Sequence, residues 1–376
     1  MDDRTQSPEP QFLPRARLQE LVDALKRAGF RCVGPTVRDG AIVFDSLDAV
    51  DTLPFGIHDE QQPGSYRLHA DDNARAFAWA NGPQALKPLL FAAREVLWRA
   101  RRQADGSLRF DSEQAAPQPL AVIGVRACDL AALAIHDQHF VRQAHGASPD
   151  PAYARRRAAL FLVAVNCSDP AATCFCASTG DGPRASSGFD ILLDELDDGY
   201  LLSCGSEAGR RIAAGLVLVP ARREQSEAAM QQSARAERKM TRRLPGRNLR
   251  DTLFGRLEHP RWNEVAERCL SCGNCTSVCP TCFCHAEREQ QQIDGSESAH
   301  LREWDSCFTR GHSQLHGYVV RPDTRTRYRQ WLTHKLGSWH DQFGRSGCVG
   351  CGRCIAWCPV GIDITEEAGA ICSEQR

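Results

Sequence analysis

A cysteine run of the form C-x2-C-x2-C-x3-C-P occurs twice in the C-terminal part of the chain, and it limits the fold more than any other feature. RCLSCGNCTSVCP supplies Cys269, Cys272, Cys275 and Cys279, and GCVGCGRCIAWCP supplies Cys348, Cys351, Cys354 and Cys358. Three thiolates spaced three residues apart can wrap one loop around three irons of a cubane, and the proline after the fourth turns the chain away. Gly273, Gly350 and Gly352 are expected to let the backbone approach the inorganic sulfides. In two-cluster ferredoxins of this spacing the fourth cysteine ligates the other cluster. The expected sets are therefore Cys269, Cys272, Cys275 with Cys358, and Cys348, Cys351, Cys354 with Cys279. Structural zinc favours separate C-x2-C pairs over two such complete runs. Two 4Fe-4S clusters are predicted, held close enough to act as an electron wire.

A second repeat lies outside this logic. TCFC stands at 173–176 and again at 281–284. Cys128 follows one apolar run, LAVIGV, and Cys167 follows the next, LFLVAV. In open α/β sheets ligands collect beyond the carboxyl ends of the strands, so both thiols are expected at one crevice with Cys174 and Cys176. A third cluster on Cys128, Cys167, Cys174 and Cys176 follows as a hypothesis, with buried inert thiols as its competitor. The second TCFC offers only Cys282, Cys284 and, further on, Cys307, with His285 as an added ligand candidate. A further cluster or metal, a redox-active thiol group, and packing around the first quartet all remain open there. Cys32, Cys204 and Cys372 read as ordinary thiols. His312, His316, His334 and His340 share no ligand spacing and read as surface or packing side chains.

Along the chain, Leu18, Leu21, Val22 and Leu25 recur at helical spacing before Gly29, which predicts a helix over about 15–28. AIVF at 41–44 reads as a strand, and PQALKPLLFAAREVLWRARR reads as helical. QADGSLRFDSEQAAPQP at 103–119 reads as a linker or hairpin. LAVIGV and LFLVAV are buried strands, joined through the turn RACD and a helix over LAALAIHDQHF, an order that favours a parallel pair. DILLDEL and YLLSCGS form a hairpin on that sheet, and 221–257 reads as a connecting helical segment. The interval Pro280–Gly347 contains TRYRQWLTHKLGSWHDQF, a helix former. The fold class is thus a mixed α+β and α/β N-terminal part followed by an α-helical ferredoxin-like dicluster domain. The divisions are 1–118, 119–220, 221–256 and 257–376.

Composition narrows the function. A net charge of −1 argues against a nucleic-acid binder, although 222–261 holds eleven Arg/Lys against five Asp/Glu. That stretch reads as a solvated helix surface or partner contact before a phosphate-binding face. The polar start MDDRTQSPEPQ lacks a signal-peptide pattern, and no apolar run reaches the roughly 18–20 residues of a membrane span. Eighteen cysteines without a leader imply a reducing compartment, the cytoplasm, where they serve metals or redox chemistry. No phosphate loop, G-x-G-x-x-G turn, nucleophile elbow or zinc-protease helix is present. The chain therefore carries electrons without a place to load them, and needs partners.

GVRACDLAAL, NCSDPAATCFC with STGDGP after it, GFDILLDEL, CLSCGNCTSVCPTCFC, REWDSCF, RYRQWLTHKL and CVGCGRCIAWCPVGIDI together resemble the beta subunits of cytoplasmic sulfhydrogenases, the NAD(P)-linked nickel-iron hydrogenases. A related component of anaerobic sulfite reductase shares much of the pattern. The resemblance runs from about residue 66 onward. Departures are Ala127, where proline is usual, Ala171-Ala172, where a glycine pair is usual, and HSQLHG after Cys307. The resemblance implies an electron-transfer subunit between a flavin NAD(P)H subunit and nickel-iron hydrogenase subunits, rather than a self-contained enzyme. The alternatives are an electron-transfer subunit of a sulfite or sulfur reductase, or a chain that itself reduces sulfur or disulfides at Cys282, Cys284 or Cys307.

Overall fold

The computed structural model describes residues 10–84, 86–112, 116–142 and 148–373. Most of the N-terminal stretch read for a leader, and part of the 103–119 linker, lie outside them.

Among the described residues the strands are β1 (Gln11–Pro14), β2 (Arg31–Arg38), β3 (Ala41–Ser46), β4 (Ile57–Gln62), β5 (Ser65–Ala70), β6 (Arg94–Arg102), β7 (Leu108–Asp111), β8 (Leu120–Val125), β9 (Leu160–Val165), β10 (Ile191–Glu195), β11 (Gly199–Cys204), β12 (Val219–Pro220), β13 (His285–Gln291), β14 (Glu297–Trp304), β15 (Gln314–Leu315) and β16 (Tyr318–Val319). One eight-stranded sheet runs in the order β12-β1-β11-β10-β9-β8-β2-β3. Its centre is parallel: β8 pairs with β9 and with β2, and β9 with β10. The predicted β10-β11 hairpin is present and antiparallel.

Both faces of the central strands are buried, which is why they read as continuous apolar runs. Ala121, Ile123, Phe161, Val163 and Val165 pack with Leu21, Val22 and Leu25 of the helix Leu18–Arg27. Val122, Leu162 and Ala164 pack on the other face with Leu130 and Leu133 of the helix Ala127–Asp137 and with Tyr153. That helix starts earlier than expected, so Cys128 sits in its first turn rather than in a loop.

The helix expected over 83–102 is not formed. Only Lys87–Leu90 is helical, with Pro88 in its first turn, and Arg94–Arg102 is strand β6. β6 is covered by β14, placing Val96 opposite Leu301 and Trp98 opposite His300. Glu297 of β14 also bonds Arg99 and Arg101 at 2.6 and 2.7 Å. A partner about 200 residues away thus overrides a local helical pattern. The resulting sheet, β13-β14-β6-β7, joins strands from both halves of the chain.

The C-terminal part is mainly helical around the cysteine loops. Trp262 and Val265 of the helix Arg261–Arg268 pack with Tyr328, Trp331 and Leu332 of Thr324–Thr333, and with Ile364 and Ile371 of Ile364–Cys372. Glu367, fully buried, is held by Arg261 and Arg268 at 2.6 and 2.5 Å. Much of the basic stretch 222–261 is taken up in this way: Arg222 pairs with Asp198, Lys239 with Asp169, Arg242 with Asp363 and Arg250 with Asp341. Among the described residues no helix is long and apolar enough to cross a membrane.

Candidate iron–sulfur sites

The first quartet and the last cysteine of the second quartet line one cavity. Cys269, Cys272, Cys275 and Cys358 surround an atom-free space of about 450 Å³, solvent mouth included, together with Phe308, Tyr328, Trp331 and Cys354. Cys358 therefore meets the first trio, as crossed ligation requires. Two buried donors on the wall, Tyr328 OH and Trp331 Nε1, have no hydrogen-bond partner in the protein. Unpartnered donors beside a ring of thiols suit a group rich in sulfur acceptors. Burial pushes the Cys275 thiol well above its ordinary range, and the neighbouring sulfurs of Cys307, Cys269 and Cys358 add to this. Cys272 is exposed, as is Leu270 at 63 %.

Cys348, Cys351 and Cys354 gather with Cys279. Burial raises the Cys354 thiol, and the next contributions come from Cys348, Cys351 and Cys279. Gly350 N–H donates to Cys348 Sγ at 3.4 Å. Two of the glycines also meet a constraint the sequence did not show. A Cβ on Gly350, at φ +63°, would lie 2.6 Å from Cys176 Cα, and one on Gly352, at φ +74°, 2.4 Å from the Thr173 carbonyl. The residues are small because another backbone approaches them, and that backbone is the first TCFC.

Cys128, Cys167, Cys174 and Cys176 line a second cavity, about 300 Å³ of atom-free space, shared with Asn81, Arg126, Met240 and Cys351. β8 and β9 deliver Cys128 and Cys167 just past their carboxyl ends. The β8-β9 register shifts between Ile123 and Val125, at Gly124 with φ +90°. Arg126 then turns inward, 2 % exposed, donating to the carbonyls of Phe77 and Trp79. Its Nε has no partner, nor has Asn81 Oδ1, while Asn81 Nδ2 lies 3.7 Å from Cys174 Sγ. Burial raises the Cys128, Cys174 and Cys176 thiols well above their ordinary range; Asp129 adds to the effect on Cys128, and neighbouring sulfurs to that on the other two. Four buried sulfurs can be thiolates together only with cations among them. The donor set fits a cluster.

Both TCFC copies grip the loop of the second quartet. From one side, Phe175 N–H donates to Gly350 O at 2.8 Å and Cys174 Sγ lies 3.8 Å from Cys351 O. From the other, the Thr281 hydroxyl reaches Gly347 O at 2.7 Å and Cys279 Sγ at 3.1 Å. Thr173 and Thr281 are both fully buried. The copies thus share a bracing role and differ in their thiols.

Around the second copy, Cys282 is the chief cause holding the neighbouring Cys279 thiol well below its ordinary range. Cys307 lies near Cys284, and burial pushes its thiol up to about 12. His285 does not join them, its Nδ1 lying 3.1 Å from Phe283 O. His312 stands beside Cys284 and meets Asp305 Oδ2 at 3.1 Å. Sequence reading missed it because its partners are brought in by the loop after β14. His334 accepts from Trp339 Nε1 at 2.9 Å and His340 meets Arg247 O, both as packing groups. Cys32, Cys204 and Cys372 stand apart from these sets, Cys32 packed in the sheet core near Val22 O. Among the described residues no three His, Cys, Asp or Glu side chains converge as they would around a single metal ion. The thiols line cavities instead.

The class defined by these loops is an iron–sulfur electron-transfer protein with a 4Fe-4S dicluster domain. One 4Fe-4S dicluster family matches residues 268–362 and a second matches 226–283. The chain is also 34% identical over 245 residues to sulfhydrogenase 2 subunit beta of Pyrococcus furiosus, covering 64% of this chain and 71% of that protein. It belongs to the sulfhydrogenase beta-subunit family. No solved structure matches it.

Proposed function

We propose that this chain relays electrons through three 4Fe-4S clusters in a cytoplasmic hydrogenase complex, between a flavin subunit that handles NAD(P)H and a nickel-iron module. Such clusters, when bound, exchange one electron at a time at potentials set by hydrogen bonds, charge and exposure. Cys128, Cys167, Cys174 and Cys176 would hold the inner one, Cys348, Cys351, Cys354 and Cys279 the middle one, and Cys269, Cys272, Cys275 and Cys358 the outer one. The supporting observation is that the sets share walls. Cys351 of the middle set borders the inner cavity, and Cys354 borders the outer one. Buried side chains exclude water around the inner set, while exposed Cys272 and Leu270 give the outer set a contact surface. Cys275→Ser is expected to slow transfer between NAD(P)H and hydrogen while leaving each half-reaction with artificial dyes intact. Loss of dye-linked hydrogen activation itself would contradict the relay.

A second reading has one observation in its favour. Cys284 is half-buried with the His312 imidazole beside it, which Asp305 orients at 3.1 Å. A thiol beside an oriented imidazole suits sulfur or disulfide reduction on this chain. Polysulfide reduction by the isolated chain with a chemical reductant, abolished by Cys284→Ser, would favour it over the pure relay.

A further inference from the structure

Two buried lysines flank Cys279. Lys335 is 3 % exposed and Lys87 5 %. Lys87 Nζ donates to Ser277 O at 2.8 Å and Thr276 O at 3.2 Å, on the backbone between Cys275 and Cys279. Lys335 Nζ donates to Thr281 Oγ1 at 2.8 Å and Gly347 O at 3.3 Å. Thr281 Oγ1 itself lies 3.1 Å from Cys279 Sγ. The one hydroxyl hydrogen of Thr281 goes to Gly347 O at 2.7 Å, so Thr281 accepts from Lys335 and holds it beside Cys279.

Two hydrogen bonds thus fix the Lys335 side chain beside one ligand sulfur. The inner set has buried guanidinium groups of its own, Arg126 beside Cys167 and Arg353 beside Cys128, the latter paired with Asp129. Donors to a ligand sulfur and nearby positive charge both stabilise the reduced, more negative cluster. We propose that Lys335, held by Thr281 beside Cys279, raises the reduction potential of the middle cluster. Lys335 is a positioning and charge-setting residue, and the inference rests on the cluster assignment proposed above.

The test is an EPR-monitored redox titration of the full chain, alongside iron and acid-labile sulfide content. Lys335→Met is expected to keep the full iron content and lower the midpoint of one cluster. The shift should change electron exchange with its neighbours at least tenfold, which is 59 mV for one electron. Thr281→Val, which retains the ammonium, should give a smaller shift of the same sign, and Lys335→Arg should restore most of the potential. Full iron with unchanged midpoints in Lys335→Met and Thr281→Val overturns the inference, as does an equal shift in every cluster. If Lys335→Met fails to fold, Thr281→Val alone decides between these outcomes. Wild-type protein lacking the second-quartet cluster would instead overturn the assignment on which the inference rests.

Discussion

The Arg353–Asp129 pair joins the two halves of the proposed relay. Arg353 lies between Gly352 and Cys354 of the second quartet, and Asp129 follows Cys128 on the helix of the inner set. Both side chains are 1 % exposed, with nitrogen–oxygen distances of 2.7 and 3.3 Å, and Arg353 Nε donates to Gly82 O at 2.8 Å. Asp129→Asn leaves the guanidinium buried without its counter-charge. Breaking a buried pair from one side costs about 3–5 kcal/mol, whereas replacing both partners with apolar groups of similar size is often nearly neutral. Asp129→Asn and Arg353→Met should therefore each lower stability by about 3 kcal/mol or more. Asp129→Leu combined with Arg353→Met should recover at least half of that, apart from the lost bond to Gly82. Guanidinium unfolding of anaerobically purified protein, read as a double-mutant cycle, measures the coupling. Single-variant losses below about 1 kcal/mol, or strictly additive losses, would refute the reasoning.

Three other outcomes follow from the same geometry. Gly352→Ala forces a Cβ to 2.4 Å from the Thr173 carbonyl at φ +74°, a strain of about 1–2 kcal/mol from the left-handed backbone alone. Its iron content per chain should fall by about 4, one 4Fe-4S cluster, while Gly369→Ala, with nothing near the added atom, should retain its iron. Burial, helped by the charge of Lys87, holds the His136 imidazole down at about 3. The unfolded chain takes up that proton below about pH 6.5 and the folded one does not, so stability falls as pH drops from 6.5 towards 3. His136→Phe should flatten part of that slope in unfolding midpoints measured at pH 6.5, 5.5 and 4.5.

The cysteine quartets were legible because cluster binding is written locally, in three-residue spacings with a proline stop. β8 and β9 were legible because strands buried on both faces are apolar throughout, and placing Cys128 and Cys167 at their carboxyl ends located the inner set. β6 was not legible, since the residues that make REVLWRARR a strand are Glu297–Trp304. A further constraint on Gly350 and Gly352 was not legible for a related reason: the atoms that exclude a side chain belong to Thr173 and Cys176, far off in sequence. Lys87, Lys335 and His312 carry no motif, and only folding brings them to the sulfurs. The repeated TCFC, open as a sequence question, is a pair of braces on one loop.

The number of clusters is the centre of the account, and iron with acid-labile sulfide per anaerobically purified chain measures it. Three clusters predict about 12 iron, falling by about 4 in Cys174→Ser/Cys176→Ser while the outer and middle sets stay loaded. About 8 iron in the wild type, unchanged by those substitutions, would contradict the inner cluster and confine the relay to the two quartets.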